Sequence, residues 1–101
     1  MNLSFYSEKL LAHIESLEEH YVSDISKALD LLEAMGNKIE LPHSKSLGKG
    51  LFELRCLGTG VRILYIFAKQ GAIILHIIIK KQDKIPKKEL DLVRKRQKEF
   101  A

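Results

Sequence analysis

The sequence predicts one α+β domain in which a helical hairpin packs on a twisted antiparallel sheet of three to four strands, followed by a C-terminal helix. Three observations support this fold class. Apolar residues recur at helical spacing over residues 7–35, residues 51–79 form three short β-favouring runs, and helical spacing returns over 87–99. The chain has 101 residues, of which 46% are hydrophobic, so it can bury one core. No linker is long enough to separate domains, and we assign residues 1–101 to a single domain.

The first third of the chain is predicted to form a short strand and two helices. Leu3 and Phe5 alternate with polar residues, as in a strand with one buried face. Residues 7–20 carry Leu10, Leu11, Ile14 and Leu17 at helical spacing. Residues 24–35 repeat the pattern with Ile25, Ala28, Leu29, Leu32 and Met35. Because the link between the two segments is short, they are expected to form an antiparallel hairpin.

Cap and turn residues set the expected boundaries of the second helix. Ser23 is a suitable N-cap, and Gly36 is a suitable stop signal. The segment 36–50 that follows contains three glycines, one proline and few apolar residues. It is therefore predicted to be a loop.

The middle of the chain is predicted to form a three-stranded antiparallel meander. Its strands are expected at 51–57, 61–67 and 72–79, which are rich in Leu, Ile, Val, Phe and Tyr. The intervening turns, Gly58–Gly60 and Lys69–Gly71, contain glycine, which tolerates the positive φ of tight turns. The N-terminal strand is the candidate for a fourth strand.

A last helix is predicted over residues 87–99. Pro86 suits the start of a helix because it has no amide hydrogen to leave unpaired. Leu90, Val93 and Phe100 fall on one side of the helix, and most of the other residues are Lys, Arg, Glu and Gln.

Charged residues interrupt the apolar strands, and alternation predicts which of them share a face. Glu53 and Arg55 share one face of their strand, and Arg62 shares a face with Leu64. His76 is expected on the same side as Ile74, Ile78 and Lys80. If one sheet face packs on the helices, the other can gather Glu53, Arg55, Arg62 and the end of the sheet at Lys80 and Lys81.

These arginines have two possible explanations. An arginine among core residues is costly unless something negative meets it. In the functional explanation, arginines on rigid strands bind phosphate through paired hydrogen bonds and stabilise charge at a phosphorus centre. In the structural explanation, Arg55 pairs with Glu53 or Glu89 and has no further role.

Charge is distributed unevenly along the chain. The net charge is +4, but residues 1–44 carry −5 and residues 45–101 carry +9. This asymmetry indicates that the second half meets a polyanion such as nucleic acid. Alternatively, the lysines and arginines simply keep the last helix soluble.

Several other classes of chemistry lack their sequence signatures. There is no H-E-x-x-H spacing and no phosphate-cradling glycine loop, so no metal or cofactor is expected. No apolar run approaches the length of a membrane helix and no signal segment opens the chain, which predicts a cytoplasmic protein.

Cys56, the single cysteine, is expected to face the core. His76 lies in an apolar strand, where a histidine is more often a core residue than a general acid or base.

The order of motifs resembles that of a known toxin superfamily. "LPHSKSLGKGLFELRCLGTGVRILYIF" (41–67), followed by "ILHIIIKKQDKIPKKELDLVRKRQKEF" (74–100), is similar to the RelE/ParE toxins. Within that superfamily, the sequence most resembles the phage-derived Gp49-like group, which includes many HigB-type toxins. The resemblance runs from about residue 25 to the C-terminus, and the most specific stretch is 76–90.

The resemblance implies a RelE-like fold and a toxin of a type II toxin–antitoxin pair. RelE-type relatives enter the ribosome and cut mRNA without a metal, using the 2′-hydroxyl of the RNA as nucleophile. The resemblance also implies a cognate antitoxin that covers the basic surface with an acidic or amphipathic segment. The expected partners of this chain are therefore the antitoxin, the ribosome and mRNA. No association with a membrane is expected.

The resemblance also carries roles to individual residues. Arg55, Arg62 and Lys81 fall at basic positions used in such sites, and Glu53 or His76 is expected to move protons. An RNA phosphate is then the expected negative partner of the two arginines. The residues expected to bind RNA are Lys49, Lys80 and Lys84 together with Arg55 and Arg62.

Two rival functions remain open from the sequence. ParE-like proteins poison DNA gyrase without nuclease activity, although the retained basic residues argue mildly against that activity. A degenerate module would instead keep the fold and antitoxin binding but have lost catalysis.

Overall fold

A computed structural model describes residues 1–79 and 84–100. Within them the chain forms five strands and three α-helices. The order is β1 (Asn2–Phe5), α1 (Glu8–Glu15), α2 (Glu19–Met35), β2 (Ser44–Gly48), β3 (Leu51–Arg55), β4 (Val61–Ala68), β5 (Gly71–Ile79) and α3 (Lys87–Lys98). None of these helices combines the length and apolar character needed to span a membrane.

The strands form one sheet in the order β1-β5-β4-β3-β2. The pairs β2–β3, β3–β4 and β4–β5 are antiparallel, whereas β1 lies parallel to β5. The α+β class is confirmed, but the expectation of a purely antiparallel sheet of three to four strands is wrong. The sheet is mixed, and its fifth strand is β2, within the segment predicted to be a loop.

The helical hairpin is confirmed, but its boundaries differ from those expected. The first helix ends at Glu15, where the hydroxyl of Ser16 donates to the carbonyl of His13. The second helix begins at Glu19, so Ser23 lies inside it and is not its N-cap. Gly36 ends this helix as predicted, with φ of 58°.

Helices cover both faces of the sheet. Helices α1 and α2 pack on one face, where the buried residues include Leu10, Ile14, Ile25, Leu32, Ile63, Tyr65 and Ile74. On the other face, α3 packs through Val93 and Leu90 on Leu51, Leu64 and Leu75. The strand arginines therefore do not project from a bare sheet face, because α3 shares that face with them.

A β-bulge in β5 sets the direction of His76. Leu64 pairs with His76 and the next residue, Tyr65, pairs with Ile74, which leaves Leu75 as the extra residue. An extra residue reverses the alternation of side chains beyond it. His76 therefore lies on the α3 side, whereas Ile74 belongs to the core beneath α1 and α2. The expectation that these two residues share a face is wrong for this reason.

Candidate functional site

A carboxylate and two arginines form a compact group on the α3 side of the sheet, which we call the arginine cluster (Glu53, Arg55 and Arg62). The Nε of Arg55 donates to Glu53 Oε1 at 3.0 Å. The Nε of Arg62 lies 2.9 Å from the same oxygen. Its N–H is not aligned for a hydrogen bond, so this second contact is an ion pair. Glu53 is only 4% exposed.

Strand register explains why this cluster forms. Arg55 on β3 is directly opposite Arg62 on β4. Like charges facing each other across a strand pair repel. Glu53 lies two residues before Arg55 on the same face, so its carboxylate reaches both guanidinium groups and offsets the repulsion. Glu53 is thus the negative partner of both arginines within the protein.

Among the described residues, the outer nitrogens of the two arginines have few hydrogen-bond partners. The Nε atoms face Glu53, and Arg62 Nη1 makes only a long contact of 3.4 Å to the carbonyl of Gly60. Within residues 1–79 and 84–100, no hydrogen bond engages either Nη of Arg55. The side chains of Arg55 and Arg62 are 28% and 17% exposed. Two positive charges share one negative charge, so the cluster carries a net charge of +1 and can bind an anion.

From the sequence, Arg55 was expected to pair with Glu53 or Glu89, and the structure pairs it with Glu53. Arg55 does pair with Glu53, but Glu89 pairs with a different residue. Glu89 Oε2 lies 2.6 Å from His76 Nε2. The side chain of His76 is 18% exposed, so its imidazole is neither fully buried nor free in solvent.

The arginine cluster and the His76–Glu89 pair lie on the same sheet face but do not touch. In one cross-strand row, Glu53 pairs with Leu64 and Leu64 pairs with His76. Glu53 and His76 are therefore two strand spacings apart, about 10 Å at the backbone. That separation suits groups that contact different atoms of one bound nucleotide.

The structure describes two of the three lysines expected to bind RNA, Lys49 and Lys84. Lys49 occupies the turn between β2 and β3 with φ of 54°, and it is exposed. Lys84 is exposed just before α3. Lys80 and Lys81 lie outside the described residues.

The single cysteine is buried in the core, as expected. Cys56 is 1% exposed and packs with the residues beneath α1 and α2. Burial raises the pKa of its thiol to about 12, with a smaller contribution from Asp24. The thiolate is the nucleophilic form of cysteine, so Cys56 does not serve as a nucleophile at neutral pH.

Alkylation kinetics test this assignment. Because the pKa is about 12 instead of 9.0, the thiolate fraction at neutral pH is about a thousandfold lower than in an ordinary cysteine. We expect iodoacetamide to label the folded chain at least a thousandfold more slowly than the urea-unfolded chain. Equal labelling rates in the two states would show that the thiol is neither buried nor raised in pKa.

Sequence reasoning did not identify the partner of His76. The sequence suggests Glu89 only as a partner for Arg55. The first turn of α3 places it over β5, and no local pattern in the sequence indicates that crossing. Among residues 1–79 and 84–100, no three His, Cys, Asp or Glu side chains gather in a way that could hold a metal ion.

Comparison with known families identifies one match. Residues 12–98 match the family described as "Phage derived protein Gp49-like (DUF891)". No curated protein matches the sequence.

Solved structures share the fold at low sequence identity. The isolated RelE toxin of E. coli superimposes with a TM-score of 0.63 at 15% identity, covering 88% of this chain and 94% of RelE. The RelB–RelE antitoxin–toxin complex of Methanococcus jannaschii gives a TM-score of 0.57 at 11% identity, covering 77% of this chain and 91% of the matched one. The YoeB–YefM complex of Staphylococcus aureus gives a TM-score of 0.55 at 16% identity, covering 76% of this chain and 93% of the matched one. The fold is therefore RelE-like.

Proposed function

The chain belongs to the Gp49-like family of phage-derived proteins, and from that premise we propose that it is the toxin of a type II toxin–antitoxin pair, a ribosome-dependent mRNA endoribonuclease. One observation carries the proposal. On a RelE-like fold, Arg55 and Arg62 are held side by side, and among the described residues their outer nitrogens make only the long contact from Arg62 Nη1 to the carbonyl of Gly60. Such a pair suits the phosphate at which RNA is cut.

Phosphate binding is the first step of the proposed mechanism. Guanidinium groups form directional, paired hydrogen bonds to phosphate oxygens. With both Nε atoms turned toward Glu53, the Nη nitrogens of the arginines bind one phosphate from the open side. This arrangement supplies the most charge stabilisation when the phosphorus becomes five-coordinate and its oxygens gain negative charge.

Bond cleavage then follows from the chemistry of RNA. The 2′-oxygen attacks the adjacent phosphorus while the bond from phosphorus to the 5′-oxygen breaks. One proton leaves the 2′-hydroxyl and one proton reaches the departing 5′-oxygen. The products are a 2′,3′-cyclic phosphate and a 5′-hydroxyl end, and no metal or redox partner is needed.

The two residues considered for proton transfer, Glu53 and His76, receive different roles in this mechanism. Glu53 is nearly buried and engaged by two guanidinium groups, so we assign it to positioning the arginines and not to proton transfer. His76 is partly exposed and is assigned to proton transfer, with Glu89 fixing the orientation of its imidazole.

Substitution of His76 and of Glu89 tests this assignment of roles. His76→Ala removes the proton carrier and is expected to slow cleavage at saturating ribosome concentration by about 10²-fold. Glu89→Gln keeps a hydrogen-bonding group beside the imidazole and is expected to slow it about tenfold. Single-turnover cleavage of mRNA on purified ribosomes measures both. An unchanged rate for His76→Ala would exclude the histidine from proton transfer.

A cognate antitoxin is the proposed protein partner. Two of the similar structures are toxin–antitoxin complexes, RelB–RelE and YoeB–YefM. The antitoxin of this chain is proposed to cover the basic surface around the arginine cluster with an acidic or amphipathic segment.

Mapping of mRNA 5′ ends tests the proposed function. Purified chain is added to an in vitro translation reaction, and to the same mRNA without ribosomes. New 5′ ends that require ribosomes are expected. Intact mRNA together with gyrase-linked DNA breaks in a supercoiling reaction would replace the proposal with the ParE-like activity.

One observation favours the degenerate module as a second candidate. Glu53 already neutralises part of the charge of both arginines, as in a purely structural ion-pair network. In that case the folded chain binds its antitoxin, cuts no mRNA and does not affect gyrase.

A further inference from the structure

A cavity of about 290 Å³ opens between α2 and the end of β3, next to the arginine cluster. We call it the α2 cavity, and the residues that line it include Asp24, Lys27, Leu31, His43, Arg55 and Leu57. Its volume is close to the lower end of the roughly 300–1,000 Å³ that is typical of small-molecule sites. The cavity therefore suits a small ligand better than a folded partner.

The α2 cavity combines apolar walls with polar groups. The amide of Arg55 donates to the carbonyl of His43 at 2.7 Å, which holds the segment before β2 beside the end of β3. Leu31 on α2 is half-buried, whereas Leu57 is 60% exposed. A mostly apolar lining with a few polar side chains is the usual character of a site for a small molecule.

Asp24 uses one of its two carboxylate oxygens to hold the protein together. Its Oδ2 accepts from the amide and from the hydroxyl of Thr59, both at 2.7 Å, and this fixes the turn between β3 and β4 against α2. Within the part of the chain that the structure describes, no hydrogen bond engages Oδ1. A Cβ atom at Gly58 would come within 3.1 Å of Oδ1, so a larger residue there would crowd this oxygen.

Lys27 supplies a hydrogen-bond donor beside this acceptor. It lies three residues after Asp24 on α2, and residues at that spacing are neighbours on one face of a helix. Lys27 is exposed and takes part in none of the ion pairs formed among the described residues. Asp24 and Lys27 thus present an acceptor next to a donor at the same cavity.

We propose that the α2 cavity binds the base of a nucleotide next to the phosphate at Arg55, and that it selects adenine or cytosine over uracil. Unpaired bases stack on flat side chains such as that of His43 and are identified by their polar edges. Adenine and cytosine present an amino group beside an unprotonated ring nitrogen. The amino group donates to Asp24 Oδ1, and the ring nitrogen accepts from Lys27. Uracil presents a carbonyl beside an N–H group, which is the reverse pattern.

Arg55 connects the α2 cavity with the proposed phosphate site. It lines the cavity, and its Nε pairs with Glu53 in the arginine cluster. A phosphate bound by the Nη nitrogens of Arg55 is therefore at the border of the cavity, within reach of the attached nucleoside. The inference rests on the proposed function, because it concerns the RNA that this function brings to the arginine cluster.

Binding of single nucleotides tests the inference without ribosomes. The 3′-monophosphates of cytidine, adenosine and uridine are titrated into chain with isotope-labelled leucine methyl groups, and NMR follows the signals of Leu31 and Leu57. Asp24→Asn is the test variant, because its amide oxygen can still accept from Thr59 while its NH2 group replaces the second acceptor. Asp30→Asn is the matched control, since it removes an exposed carboxylate on the same helix that does not line the cavity.

In the wild type, the cytidine and adenosine nucleotides are expected to shift both leucine signals. They are expected to bind about tenfold to a hundredfold more tightly than the uridine nucleotide, as for a good contact to a base edge. Asp24→Asn is expected to abolish or reverse this preference, and Asp30→Asn to retain it. Equal binding of the three nucleotides, unmoved signals of Leu31 and Leu57, or an unchanged preference in Asp24→Asn would overturn the inference.

Cleavage on ribosomes separates the cavity from the nuclease activity. Single-turnover rates are compared for mRNAs that differ only in the bases on either side of the cut. We expect adenine and cytosine to be preferred over uracil at one of these positions, and Asp24→Asn to lose that preference. Cleavage with an unchanged preference in Asp24→Asn would refute the role of the cavity and leave the nuclease in place. A chain that distinguishes the nucleotides but cuts no mRNA would instead refute the proposed nuclease and leave the base site in place.

Discussion

Replacing Arg62 with alanine is expected to slow ribosome-dependent cleavage by about 10²–10³-fold. In the proposed mechanism Arg62 provides one of the two guanidinium groups that bind the phosphate, and its Nε lies 2.9 Å from Glu53 Oε1. Loss of one such group removes stabilisation that is greatest when the phosphorus is five-coordinate. The effect should therefore appear in the single-turnover rate at saturating ribosomes and only weakly in ribosome affinity.

Arg62→Lys provides the matched comparison. Lysine keeps the charge but lacks the fork that lets Nε face Glu53 while Nη faces the phosphate. We expect it to restore less than a tenth of the lost rate. Full activity in Arg62→Lys would show that charge alone is required, and full activity in Arg62→Ala would remove the arginine cluster from the mechanism.

Replacing Glu53 with alanine is expected to lower the free energy of unfolding by about 2–4 kcal/mol. Removal of one partner from a buried ion pair leaves an uncompensated charge, and here Arg55 and Arg62 also repel across the strand pair. The expected loss of stability is smaller than for a fully buried ion pair because both arginines are partly exposed. Urea unfolding followed by circular dichroism measures the change.

Glu53→Gln distinguishes charge from shape at the same position. The amide oxygen can still accept from Arg55 Nε, so we expect a smaller loss of stability than for alanine. A double-mutant cycle with Arg62→Ala is expected to give a coupling of about 1 kcal/mol or more. Additive effects would show that Glu53 and Arg62 do not interact in solution.

The interior of the sheet was predictable from the sequence because burial imposes a pattern on it. The segments expected at 61–67 and 72–79 agree within one residue with Val61–Ala68 and Gly71–Ile79. Edge strand β2 gave no such signal, since most of its residues are exposed. Its buried Ser44 is accommodated by a hydrogen bond of 2.6 Å to Tyr65, which lies far away in the sequence.

The candidate site was predictable only in part, since it depends on long-range register. Spacing along β3 indicated that Glu53 could reach Arg55. The contact of Glu53 with Arg62 requires Arg55 and Arg62 to be directly opposite, and a shift of one residue would abolish it. His76 could not be placed, because the bulge at Leu75 has no clear signature in an apolar run.

The most direct test of the central claim is the chemistry of the RNA ends made by wild-type chain and by Arg55→Ala/Arg62→Ala. Both proteins are added to ribosomes programmed with a defined mRNA, and the termini at each cut are identified. We expect a 2′,3′-cyclic phosphate and a 5′-hydroxyl from the wild type, and no ribosome-dependent cut from the folded double variant. Fragments ending in a 5′-phosphate, equal cutting by the double variant, or intact mRNA with the wild type would contradict phosphate cleavage at the arginine cluster.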